Sequence, residues 1–324
     1  MNRFESFLAQ QLKEYVVYRK DLGYSMTATL SQLKTFDQYV KRKKTESRLL
    51  EPSFFLEFRA TLTIEPSSIN GILSSVCSFF QYLVRKGDYE ENPLRDIPRL
   101  PENDVIPFVF SPQEVDQLMS AVCKRLRKSP TYYFISLSRY MAILLIARCG
   151  LRILEPLRLQ QKHYRAKEST IYIEKTKFGK DRLIPVPQSV VMEIKNYLQV
   201  RRNLIAVDIN PYLFPGVNQR RLGDTSVRDL FHQAVKDIGL NYPRRIIGNT
   251  NFSSPTPHSL RHSFAVNTLI NIKERSRSPQ NALPVLSVYM GHESYEHTVR
   301  YLKVMDALQR HRLLRFAMER EEEE

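Results

Sequence analysis

Cysteine is scarce in this chain. Cys77, Cys123 and Cys149 are odd in number, far apart and never spaced as CxxC. That argues against a disulfide framework or a cysteine-rich zinc site, and buried free thiols in a reducing compartment are expected. Long apolar runs are missing too. Nothing approaches 18 uninterrupted apolar residues, so no membrane span is expected. Met1-Asn-Arg-Phe-Glu runs straight into a polar, periodic segment without an apolar signal core, and export is not expected. No internal repeat is visible.

What is present is the composition of a folded protein, 42% apolar and 26% charged. A length of 324 residues favours two domains over one. Acidic residues are outnumbered: 49 Lys and Arg face 34 Asp and Glu, a formal net charge of +15. The excess is uneven. The first hundred residues carry 15 basic and 12 acidic groups, the remainder 34 and 22, despite the acidic end Glu321 to Glu324. Such an excess suits a polyanionic partner, although a merely basic, soluble surface gives the same sum.

The first 95 residues read as helices. Phe7, Leu8, Leu12, Tyr15 and Val16 recur at helical spacing, as do Leu33, Phe36, Tyr39 and Val40. Ile69, Ile72, Leu73, Val76, Phe79, Phe80 and Leu83 form the clearest stripe, which Gly87 stops. One-sided helices of this kind pack into a small bundle. Arg42, Lys43 and Lys44 follow the second helix, as a solvated helix end or as contacts to a nucleic-acid backbone. Residues 96–107 contain Pro98, Pro101 and Pro107 and read as a linker. A second domain then covers 108–324. Ser111-Pro112-Gln113-Glu114 has the form of a capping box with proline in the first turn. Tyr133 to Arg148 is an apolar helix. Thr170–Ile173 and Leu183–Val186 form a hairpin about Lys177-Phe178-Gly179-Lys180. Further helices are expected over Ser189–Ala206, Ser226–Ile238 and Ser259–Ile272.

Three clusters could carry chemistry on a phosphodiester. Such a reaction needs fixed cations on the phosphate oxygens, a nucleophile and a proton donor for the leaving oxygen. In His258-Ser259-Leu260-Arg261-His262, the positions three and four apart share a helix face close to the helix start. A zinc site on His258 and His262 is disfavoured, because Ser259 stands where HExxH needs glutamate and Arg261 would oppose a cation. Arg152 follows Gly150 in apolar company. It is either a structural partner of Glu155 or a phosphate donor held by Glu155. Met290-Gly291-His292 comes nine residues before Tyr301, one of 17 tyrosines.

Together these segments resemble the tyrosine recombinases, the phage-integrase-type site-specific recombinases. The matching stretches are ARCGLRILEPLRL at 147–159, EKTKFGKDRLIPVP at 174–187, HSLRHSFA at 258–265 and YMGHESYEHTVRYL at 289–302, in the family's order. The resemblance implies a mainly α protein. A helical SAM-like core-binding bundle would precede a mixed α/β, mostly helical catalytic domain with a small β-sheet, the two closing as a clamp on duplex DNA. By the same resemblance Arg152 and Arg261 clamp the phosphate, Glu155 supports the site, and His258 helps proton transfer and contacts the phosphate. His292 donates to a non-bridging oxygen and Tyr301 is the nucleophile. Lys177 is the general acid, with Lys175 and Lys180 competing for that role and otherwise contacting DNA. The implied reaction proceeds through a 3′-phosphotyrosine and a four-way junction. It needs no cofactor, metal or ATP, and it uses four protomers on paired DNA sites, with a monomer as a free form, in a prokaryotic cytoplasm at the nucleoid. The helix from Met305 to Phe316 would meet a neighbouring protomer or pack on its own domain. Other outcomes for the same fold are a type IB topoisomerase and a DNA-binding protein without catalysis. The segment 271–284 is longer than usual for the family and lacks its glycine, and it is expected to loop outward.

Overall fold

The computed structural model describes residues 4–43, 49–174, 181–205, 208–217 and 220–306. The chain divides into two compact units, Met1–Asp104 and Val105–Glu324. Among the described residues no helix is long and apolar enough to cross a membrane.

Among its described residues the first unit holds four helices: α1 (Ala9–Asp21), α2 (Thr27–Lys43), α3 (Pro52–Ala60) and α4 (Pro66–Lys86). Their apolar stripes close on one another. Phe36, Phe55, Phe58, Phe79 and Phe80 are essentially inaccessible. Their rings meet mostly edge to face, Phe36 with Phe58 at 5.5 Å and Phe55 with Phe80 at 5.1 Å, the geometry that ring quadrupoles favour. The proline-rich segment after α4 is bound along this bundle. Asn70 brackets Leu100, donating to its carbonyl and accepting from its N–H at 2.9 Å each, and Arg59 donates to the Pro98 carbonyl. Proline has no N–H to give, so the segment is held largely by side chains reaching to its free carbonyls.

Among its described residues the second unit is mostly helical with two three-stranded sheets. Its helices are α5 (Pro112–Lys124), α6 (Pro130–Cys149), α7 (Leu154–Arg158), α8 (Gln188–Leu204), α9 (Asp224–Asp237), α10 (Pro257–Glu274) and α11 (Pro279–Met290). The expected capping box opens α5: Ser111 Oγ accepts from Glu114 N–H, and the Glu114 carboxylate accepts from Ser111 N–H. The central element is α6, packed by α5, α8, α9 and α10. It carries apolar residues on every side, with Ile143, Leu145 and Ile146 fully buried, as a helix enclosed by others must.

The strands are β1 (Asp104–Ile106), β2 (Tyr164–Arg165), β3 (Thr170–Ile173), β4 (Arg182–Pro185), β5 (Arg245–Ile247) and β6 (Thr250–Phe252). One sheet has the order β1-β6-β5, the other β2-β3-β4. The predicted hairpin is β3 and β4, antiparallel, with Ile171 opposite Ile184 and Ile173 opposite Arg182. Alternation puts Arg182 and Ile184 on the buried face of β4.

The segment 271–284 differs from expectation. It does not form a long outward loop. α10 runs through Glu274, Ser276 makes the turn at φ 57°, and α11 starts at Pro279. A serine here takes the left-handed conformation that glycine usually supplies, so the missing glycine does not prevent a tight connection. Pro279 sits in the first turn of α11, where a missing N–H costs nothing.

Candidate active site

Two helix ends build the site. α6 terminates at Gly150 and α11 at Gly291, with φ of 61° and 63°. Both positions favour glycine by their positive φ, and at Gly150 space requires it as well. A Cβ on Gly150 would lie 2.4 Å from the Phe264 ring, and one on Gly291 would press on the Arg182 guanidinium at 3.1 Å. The last carbonyls of a helix have no partner within it and carry the negative end of its dipole. Arginines take them up here. Arg261, on the first turns of α10, donates to the Gly150 carbonyl at 2.7 Å and to the Met290 carbonyl. Arg152 donates to the Gly291 carbonyl at 2.7 Å. Arg182 donates to the Tyr289 carbonyl at 2.8 Å.

Among the described residues, Glu155 is the carboxylate that these arginines meet. It accepts two bonds from Arg182, at 3.0 and 2.9 Å, one from the Arg152 guanidinium at 3.1 Å and one from the Arg152 N–H at 2.8 Å. Burial would push its pKa up, but Arg182 and the Arg152 N–H outweigh that and hold it below the ordinary value. Glu155 is therefore ionised, and the guanidiniums of Arg152 and Arg182 share its single negative charge. Arg152 is paired with Glu155, and 21% of its side chain remains exposed. Arg261 is 1% exposed. Burial, then Arg152, lowers its pKa to about 10, which leaves it charged at neutral pH.

Arg152, His258, Arg261, His292 and Tyr301 line one cleft of about 330 Å³. Thr256 and Ser259 cap α10 and Pro257 opens it, which sets His258 in the first turn. His292 follows the Gly291 turn, and its Nδ1 lies 2.7 Å from Thr298 Oγ1. Tyr301 is 4% exposed, on a small core with Ala265, Leu269 and Val304. Burial raises its pKa, and Arg261, Arg152 and Arg300 oppose that rise without cancelling it. The histidines are held neutral. Burial, then Arg261 and Arg152, lowers His258 to about 4 and His292 to about 3.

Three residues of this neighbourhood had no assigned role in the sequence. His262 contacts the Tyr301 oxygen through Nδ1 at 3.2 Å. Its signal was present, four residues after His258 on the same helix face. Arg182 ties the base of the hairpin to Glu155. A charged residue at an inward register position of a strand must find a partner, and that was its clue. His297 joins the cleft wall beyond His292.

Lys175, Lys177 and Lys180 lie outside the described residues, as do Lys44 and the expected helix beyond residue 306. In the first unit Lys43 pairs with Glu57 at 2.8 Å, and Arg42 donates to the Gln38 carbonyl on an exposed surface.

A mainly helical unit with a small hairpin, whose arginines and histidines converge on a buried tyrosine, matches the model of the phage integrase family over residues 109–307. The chain belongs to that family. It is 28% identical over 304 residues to y4rB of Sinorhizobium fredii, by name a candidate integrase/recombinase, covering 92% of this chain and 93% of that protein. Tyrosine recombinase XerA of Pyrococcus furiosus is 25% identical over 302 residues, covering 93% and 92%. The fold matches that of XerH site-specific recombinase bound to palindromic difH, with a TM-score of 0.66 at 18% identity over 90% of this chain and 78% of that one. It also matches lambda integrase in a dimer on a COC′ core site, with a TM-score of 0.63 at 16% identity over 89% and 96%.

Proposed function

We propose that Tyr301 is the nucleophile of this tyrosine recombinase and that Arg152 and Arg261 hold the phosphate it attacks. The enzyme is a site-specific DNA recombinase. The observation that carries the assignment is the meeting, in one cleft, of a buried phenol with two guanidiniums fixed by helix-end carbonyls. Carbonyls fix an arginine without cancelling its charge. That charge is then available to a phosphate whose negative charge grows as the reaction proceeds.

Attack by the Tyr301 oxygen on phosphorus makes a 3′-phosphotyrosine and releases a 5′-hydroxyl. The bond energy stays in the protein link, so another 5′-hydroxyl can reverse the step and exchange strands. His258 and His292 supply further donors toward the non-bridging oxygens, and Glu155 holds Arg152. Lys177 is assigned as the acid toward the leaving 5′ oxygen. Four protomers act on two DNA sites through a four-way junction. The first unit, with Arg42, Lys43 and Lys44, adds contacts to the duplex backbone. The protein works on DNA in a prokaryotic cytoplasm.

The test uses wild-type protein and Tyr301→Phe on genomic fragments, with covalent adducts recovered under denaturing conditions. Wild type is expected to carry DNA ends, and Y301F to bind the same fragments with similar affinity and carry none. An adduct surviving in Y301F removes Tyr301 from the mechanism.

A further inference from the structure

A phenol attacking phosphorus must lose its proton, and at an ordinary pKa near 10 it holds that proton at neutral pH. The arginines do not solve this alone, since burial keeps the pKa of Tyr301 raised despite them. A group within hydrogen-bond reach has to receive the proton.

Of the four histidines lining the cleft, His262 makes that contact. Its Nδ1 lies 3.2 Å from the Tyr301 oxygen, and the two rings meet edge to face with centroids 5.6 Å apart. His292 has its Nδ1 engaged by Thr298 at 2.7 Å. His258 packs edge to face on His262 with ring centroids 4.5 Å apart, and no hydrogen bond joins it to the phenol among the described residues. His262 is also held neutral. Burial, then His258, Arg261, His292 and Arg300, lowers its pKa to about 3. A neutral ring has a lone pair to offer. A phosphodiester entering the cleft would place a negative charge among those cations and so favour a protonated imidazole.

We propose that His262 is the general base for Tyr301, its Nδ1 accepting the phenolic proton as the phenol oxygen attacks phosphorus. The O–H bond of Tyr301 breaks and an N–H bond forms on His262. The new O–P bond forms as the bond from phosphorus to the 5′ oxygen breaks, and that oxygen leaves with a proton from the separate acid assigned to Lys177. On rejoining, the incoming 5′-hydroxyl returns a proton to that acid and His262 returns its own to the phenol. The inference rests on Tyr301 being the nucleophile.

The experiment uses the full chain and a duplex carrying the site sequenced from DNA trapped on wild-type protein, nicked so that the released strand is lost. Adduct formation is timed for wild type, His262→Ala and His262→Asn. Each is also prepared with 3,5-difluorotyrosine at position 301, a phenol that ionises more readily. The asparagine amide nitrogen or oxygen can occupy the place of Nδ1 and keep a hydrogen bond, but it cannot accept a proton. Both substitutions are expected to slow adduct formation by about 10²–10⁴-fold with duplex affinity kept. In both, the rate should rise with pH and recover strongly with the fluorinated phenol. If H262A fails to bind, H262N decides alone. A wild-type rate in H262N would reduce His262 to a positioning residue, and no recovery with the fluorinated phenol would assign the loss to structure. Failure of wild type itself to form any adduct is a different result, and it overturns the role of Tyr301 first.

Discussion

Arg201 and Arg261 are each 1% exposed and both lie in the second unit, but their surroundings differ. Arg201, on α8, donates two bonds to Asp208 at 2.6 and 2.8 Å and three more to the carbonyls of Asn210, Tyr212 and Leu213. Its five N–H donors are all used and a carboxylate balances its charge. Arg261 is held by two helix-end carbonyls and, among the described residues, by no ion pair. The first arrangement locks a loop to a helix. The second fixes a charge in place and leaves it for something else to neutralise. A buried ion pair adds little net stability, whereas an uncompensated buried cation is costly and persists where function requires it.

The largest expected effect separates these two arginines. Arg261→Lys should lower adduct formation by about 10²–10³-fold, because one ammonium cannot reach two carbonyls and a phosphate together. Arg201→Ala should instead cost about 3 kcal/mol of stability in denaturant unfolding, near the low end for a broken buried pair since Asp208 is partly exposed. Its rate per folded molecule should stay near wild type. The contrast breaks if R261K cleaves normally or if folded R201A does not cleave.

A smaller effect is expected at Arg182. Arg182→Gln leaves Glu155 with Arg152 alone and lets Arg152 shift toward it. Misplacing a clamping group by about 1 Å can cost roughly 10²-fold, and a loss of about 10- to 100-fold in adduct formation is expected. Combining it with Glu155→Gln should give less than the product of the single losses, because the two residues act through one network. Full independence in that double mutant would separate Arg182 from Arg152.

The smallest effect is on stability against pH. His258, His262 and His292 fall from an ordinary 6.5 to about 4, 3 and 3, burial being the first cause of each. A base whose folded pKa is lowered favours folding above its unfolded pKa. Between about pH 6.5 and 4 the unfolded chain takes up protons that the folded one refuses, so the melting temperature should fall across that window. Asp208 and Glu155 are carboxylates with lowered values, the first chiefly through Arg201, so their contribution is lost further down the scale. In H262N the decline above pH 4 should be shallower. A melting temperature flat from pH 7 to 4 would contradict the neutral, buried histidines.

The parts that spacing alone could place were legible in the sequence. His258, Arg261 and His262 are neighbours on one turn of helix, and the capping box at Ser111 and the hairpin at 170–186 are local patterns. Gly150 announced a helix end, but nothing local showed that Phe264 packs against it or that its carbonyl receives Arg261 from 111 residues away. Arg182 looked like one more basic residue in a basic hairpin, and only the register opposite Ile173 turns it inward. Ser276 hid a tight turn, because serine is not the residue that normally marks one.

In the proposed reaction, phosphorus in DNA becomes bonded to one particular phenol oxygen. Wild-type protein carrying a trapped DNA end can be digested with nuclease and protease, and the modified peptide fragmented in a mass spectrometer. A nucleotide mass is expected on Tyr301, in the peptide that follows Arg300. A nucleotide on any other residue, or a DNA end recovered without a protein bond, would contradict it.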